Sequence, residues 1–153
     1  MPSTETARAP IVLTSAGREW LRARLERTEQ RLAGVERDLA AESSSELFAE
    51  QRSLTEQVEE LTRLLRDAVA PGDISDDPNI VELGDRVEVE FPDGERESFL
   101  VVHPVEAGMD EHRTSADAPI ARAVIGRRPG DQVTVAAPAG VYSATIISRE
   151  RID

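Results

Sequence analysis

The chain has 153 residues and a net charge of −12, with no cysteine, two histidines and eighteen cationic side chains, all arginine. That length holds one ordinary domain, or a helical arm with a small globular unit. Without cysteine there are no disulfides or thiolate-bound metals, and the acidic balance argues against duplex DNA or anionic lipid as the main partner, both being polyanions.

His103 and His112 lie far apart and belong to no ligand-spaced cluster. No apolar run approaches eighteen residues and no charged-then-apolar leader is visible, so the expectation is a cytoplasmic protein without membrane contact.

Residues 1–12 are expected to form a disordered tail, ending in the apolar lead-in Ile11-Val12-Leu13. Thr14 or Ser15 then caps a helix. Over 16–69 the pattern predicts two long helices folded back on each other. Leu21, Leu25, Thr28, Leu32, Val35 and Leu39 step by alternating fours and threes, and so do Leu47, Gln51, Leu54, Val58, Leu61, Leu65 and Ala68. This is an a/d seam of period 3.5. Each arm has ~24 residues and so spans roughly 36 Å. Between the arms, Glu42-Ser43-Ser44-Ser45-Glu46 loses the beat, and Ser43 with Glu46 fits a capping box. Trp20 lies off the seam and Gly34 weakens the first arm slightly. Acid collects at the far end: 36–50 holds five carboxylates and one arginine, whereas 15–31 holds five arginines and three glutamates.

The expected organisation is a coiled-coil hairpin over 13–70, an acidic linker over 71–80 and a small domain over 81–153. Asp73, Ser75, Asp77 and Asn79 are spaced like a calcium loop, but Pro78 and Gly84 stand where a glycine and a bidentate glutamate belong, so calcium is rejected. From Val81 the period becomes alternating. Val87, Val89 and Phe91 mark one strand, Pro92-Asp93-Gly94 a turn, and 98–102 a second strand. Thr114-Ser115 ends a third. Asp117-Ala118-Pro119 opens a short helix with Asp117 at N-cap and Pro119 at N1, Ile120, Ala123 and Val124 facing inward, and Gly126 as the stop. Strands over 132–136 and 142–148 close an antiparallel sheet, and the class is α+β.

Three stretches resemble the Gre-type (GreA/GreB family) transcript cleavage and elongation factors of bacterial RNA polymerase. Leu13-Thr14-Ser15-Ala16-Gly17 is similar to the family's T-x-x-G at the start of its coiled coil, and Leu83-Gly84-Asp85-Arg86-Val87 to the start of its C-terminal domain. The most specific is Ser115-Ala116-Asp117-Ala118-Pro119-Ile120-Ala121-Arg122-Ala123-Val124-Ile125-Gly126 followed by Gly130-Asp131, similar to S-x-x-S-P-[IL]-x-R-x-L-[IL]-G…G-D, with Ala118 for the usual Ser. The resemblance implies an FKBP-like C-terminal domain that docks on RNA polymerase through Ser115, Asp117, Pro119, Ile120 and Arg122, with the coiled coil in the secondary channel. It carries the family label of DNA binding, but no sequence-specific nucleic-acid contact is expected, and a monomer is.

The tip departs from the family. Where cleavage factors carry G-D-L-x-E-N, with acids that help hold a second magnesium ion, this chain reads Ala41-Glu42-Ser43-Ser44-Ser45-Glu46-Leu47. Alignment through both helices makes the hairpin shorter by about eleven residues, or roughly 8 Å of reach. The leading expectation is therefore a secondary-channel regulator without efficient cleavage, not itself an enzyme, with no catalytic or metal-binding residue and no cofactor of its own. The alternative is a cleavage factor that uses Glu42 and Glu46 at a Mg²⁺ shared with the polymerase active site. A further alternative is a coiled-coil adaptor similar to nucleoside diphosphate kinase regulators.

Overall fold

The a/d seam closes as the sequence predicts. In the computed structural model, which describes residues 10–73 and 77–152, α1 covers Ser15–Ala41 and α2 Ser45–Asp67. Every predicted seam residue is buried or half-buried, and most of the remaining helix surface is exposed. Thr28, a polar residue on the seam, satisfies its hydroxyl by donating to the Arg24 carbonyl at 2.8 Å, so its burial leaves no open polar atom. The C-terminal carbonyls of α2 are closed from the other arm: Arg18 Nη1 donates to Leu65 O at 3.1 Å and Nη2 to Ala68 O at 3.2 Å. An arginine there also suits the negative end of the helix dipole.

The turn differs by one residue from expectation. The ladder of α1 runs on to Glu42, whose N–H donates to Asp38 O at 2.8 Å. The extended backbone that a cap needs is adopted by Ser44 (φ −146°, ψ 135°), and its hydroxyl accepts from Leu47 N at 3.4 Å. Ser44, not Ser43, is the N-cap, because three consecutive serines are interchangeable until the end of the preceding helix is known.

The chain divides into two compact units, one formed by Ser15–Ala68 and the other by Met1–Thr14 with Val69–Asp153. Of the expected tail, residues 1–9 lie outside the described residues, as do 74–76 of the expected linker. Ile11 and Val12 are ordered: Val12 bridges Val69, Leu13 N donates to Val69 O at 3.1 Å, and Val69 N donates to Ile11 O at 2.8 Å.

The second unit is built on five strands, β1 (Asp85–Glu90), β2 (Arg96–Val102), β3 (Arg113–Ser115), β4 (Gln132–Ala137) and β5 (Gly140–Arg151), in the order β3-β2-β1-β5-β4. The sheet is mixed rather than antiparallel throughout, because β3 runs parallel to β2. A 3-10 turn at Pro104–Glu106 and the loop after it carry the chain back to start β3 alongside β2. The α+β class stands. One short helix, α3 (Pro119–Val124), packs Ala121 and Val124 into a core with Val87, Val89, Val133, Val135 and Ile146. The expected inward residue Ala123 is only half-buried; Ala121 takes its place. No described helix is long and apolar enough to cross a membrane.

Asp85, fully buried, organises the start of the sheet. Its carboxylate accepts from Glu82 N at 2.9 Å, Arg149 Nε at 3.1 Å and Arg151 Nε at 3.2 Å. Arg151 also reaches Glu82 at 2.9 Å, and Arg149 donates to the Pro78 carbonyl. Beside it, Gly84 adopts φ +95°, and a Cβ there would lie 2.5 Å from the Pro71 ring, so only glycine fits.

Glu106 is the other buried carboxylate. Oε2 accepts from Thr14 N at 2.9 Å and Oε1 from the Thr14 hydroxyl at 2.5 Å. The Arg113 guanidinium stands 3.8 Å from Oε1, close enough for an ion pair but too far for a hydrogen bond, and its Nε has no hydrogen-bond partner.

His103 caps the 3-10 turn by accepting from Val105 N at Nδ1, 3.1 Å away. Burial holds its imidazole below the usual histidine range, and the charges of Glu106 and Asp117 offset this in part. The unfolded chain therefore binds the proton more tightly, so stability should fall as pH drops through about 6.5 towards the folded value and then level off. His103→Gln should flatten that limb of a plot of urea midpoint against pH.

Candidate functional site

Two places carry the residues singled out by the sequence, and each is described within its own unit.

In the sheet unit, the turn before α3 is fixed by main-chain and hydroxyl bonds. Ala116 N donates to Val102 O at 2.8 Å, Ser115 Oγ accepts from Asp117 N at 3.2 Å, and Ala118 N donates to Ser115 O at 2.9 Å. The N-cap is Ala118 (φ −66°, ψ 146°) rather than the expected Asp117. A residue before proline is forced into extended backbone, so a helix with Pro119 at N1 must take its cap from position 118. Alanine offers no side-chain acceptor there; a serine would add about 1 kcal/mol.

Pro119 and Arg122 project from α3 into an open groove of about 280 Å³, lined also by Ala123, Thr134 and Ala136. Arg122 is exposed and makes no ion pair among the described residues. Ile120 instead packs against the core, half-buried, while Ser115 and Asp117 belong to the turn. The five candidates thus separate into two groove residues, one core residue and two turn residues.

At the hairpin tip, Glu42 and Glu46 are both exposed on either side of the break. Among the described residues, no three carboxylate or imidazole side chains gather to hold a metal ion. Sequence reading passed over Phe48, which lies one turn into α2 and is 54% exposed, and Val141, 73% exposed at the start of β5. Both look like ordinary apolar residues in the sequence, and only the register of helix and strand turns them outward.

Residues 76–151 match the family described as transcription elongation factor, GreA/GreB, C-terminal. The chain is 34% identical to transcription elongation factor GreA of Geobacillus kaustophilus, over 89% of this chain and 94% of that one. It is 31% identical to its namesake from Oceanobacillus iheyensis, over 95% and 99%. The Geobacillus match extends over 148 positions but takes in only 89% of 153 residues, about 136, so about a dozen positions of that relative have no counterpart here. Among solved structures, GreA factor homolog 1 of Thermus thermophilus is 30% identical over 93% of this chain and 99% of that one, with a TM-score of 0.41.

Proposed function

This chain belongs to the GreA/GreB family of transcription elongation factors, and we propose that it binds RNA polymerase and regulates elongation from the secondary channel without efficiently stimulating transcript cleavage. It is a factor that acts on an enzyme, not itself an enzyme. The observation that carries the reading is the tip, which offers Glu42 and Glu46 alone, separated by serines, in place of the family's Asp- and Asn-containing motif. A Mg²⁺ ligand must come within ~2.1 Å of the ion in near-octahedral geometry. Two carboxylates on a tip with no third donor beside them do not make such a site. The dozen missing positions accord with an arm too short to compensate.

The tip charge still acts at a distance, because carboxylates in a channel of low effective dielectric perturb a nearby cation or triphosphate without touching it. The test is a backtracked elongation complex incubated with the wild type and with a Glu42→Gln, Glu46→Gln double variant, which keeps shape and helix propensity while removing charge. The expected result is no cleavage above that of polymerase alone, together with an altered elongation rate that the double variant loses. Vigorous cleavage by the wild type, absent in the variant, would establish the cleavage-factor reading instead. Equal effects of both proteins on elongation would mean that the hairpin acts by filling space. Failure to bind polymerase at all would favour the adaptor reading.

A further inference from the structure

The outer face of the sheet changes character across its width. On β1 it carries Arg86, Glu88 and Glu90, and Arg96 of β2 reaches both glutamates, at 3.1 and 2.9 Å. This is an ordinary solvated face. On the β4–β5 hairpin the same face carries Gln132, Thr134 and Ala136, opposite Thr145, Ser143 and Val141 in register. None of those six is charged, in a chain with 31% charged residues. Thr134 and Ala136 are also the floor of the groove beside α3, and Val141, directly across from Ala136, stands as its apolar crest. Tyr142 points to the other face, where its ring meets Phe91 edge-on at 5.8 Å and closes the end of the core. The strand that presents Val141 is therefore held rigidly from behind.

We propose that the α3 groove and the outer face of the β4–β5 hairpin form one docking surface, whose occupant is a segment of RNA polymerase presenting an aliphatic side chain to Val141 and a carboxylate to Arg122. The proposal rests on the polymerase-binding reading above and extends it to residues outside the α3 motif. Charge selects the occupant. Arg122 is the one charged residue lining the groove among the described residues. A lone guanidinium in an uncharged setting favours a partner acid, which it can hold through paired hydrogen bonds. A surface depleted of charge around an exposed aliphatic crest has the make-up of an interface centre rather than of solvated surface.

The experiment measures binding of the full-length chain to immobilised core polymerase. Val141→Asp and Arg122→Ala should each weaken binding about ten-fold or more, and the double variant should lose less than the product of the two, as neighbouring contacts do. Arg86→Ala, on the charged half of the same face, should bind within about two-fold of wild type. Val141 is exposed, so thermal unfolding of Val141→Asp should coincide with wild type, which separates lost docking from lost folding. Wild-type binding that Val141→Asp leaves unchanged would overturn this inference while the polymerase reading stands. A wild type that fails to bind polymerase would overturn both. A chain that self-associates through this face, with Val141→Asp abolishing the dimer but not polymerase binding, would assign the surface to a second copy and overturn the proposal.

Discussion

Asp85→Ala is expected to destabilise the sheet unit by about 3–5 kcal/mol, the usual effect of removing one partner from a buried ion cluster. The carboxylate is fully buried and accepts from two guanidinium groups and one main-chain N–H. Arg149 and Arg151 are 11% and 24% exposed, so neither can fully recover its solvation where it stands. Each keeps one other acceptor, Pro78 O for Arg149 and Glu82 for Arg151, which places the effect towards the lower end of that range. Asp85→Asn retains an acceptor while losing the charge, so it should fall between wild type and Asp85→Ala. Urea unfolding reads this directly: at a slope of about 1–3 kcal/mol per molar, the alanine variant's midpoint should drop by a molar or more. A shift within error would mean that the cluster is solvated rather than structural.

Glu106→Ala should have a second large effect, about 3 kcal/mol or more, for a related reason. The substitution withdraws the acceptor of the Thr14 N–H and hydroxyl and leaves the Arg113 guanidinium, only 10% exposed, without its nearest buried counter-charge. Arg113 retains Asp110 at 2.9 Å, so pairing the change with Arg113→Met should recover part of the loss, because an apolar side chain tolerates the vacated site better than an orphaned cation. Non-additivity in that cycle is the signature to look for. Purely additive losses would show that the 3.8 Å ion pair contributes nothing.

Both carboxylates illustrate where the sequence is silent. Helix pairing was legible because an a/d repeat is a local signal, and each arm states its own seam. Val87 and Val89 likewise announce a half-buried strand by alternation. Asp85 and Glu106, by contrast, look like surface acids. Their partners lie 64 and 66 residues away in Arg149 and Arg151, and 92 away in Thr14, and nothing local marks a charge for burial. The three-residue strand β3 is too short for any period, so neither its start nor its parallel pairing could be read. At the candidate docking site the motif pointed to the right turn and helix. Which of its residues face solvent depends on how α3 lies against β4, and this is why Ile120 proves to be a core residue and Val141 went unnoticed. The tip was legible for the opposite reason, since an exposed loop has few tertiary constraints to override its own chemistry.

The pairing of Val12 with Val69 makes the hairpin an insertion with joined ends. The segments that enter and leave it are tied to each other by three main-chain interactions before either helix begins. Its length is then nearly independent of the stability of the unit that carries it. Adding one heptad to each arm extends the tip by ~10 Å, keeps the seam in phase and raises the entropy cost of a closure of roughly 56 residues by only about 0.2 kcal/mol. Reach can therefore be lost or gained in whole heptads by descent or by design, while the sheet and the groove beside α3 stay as they are.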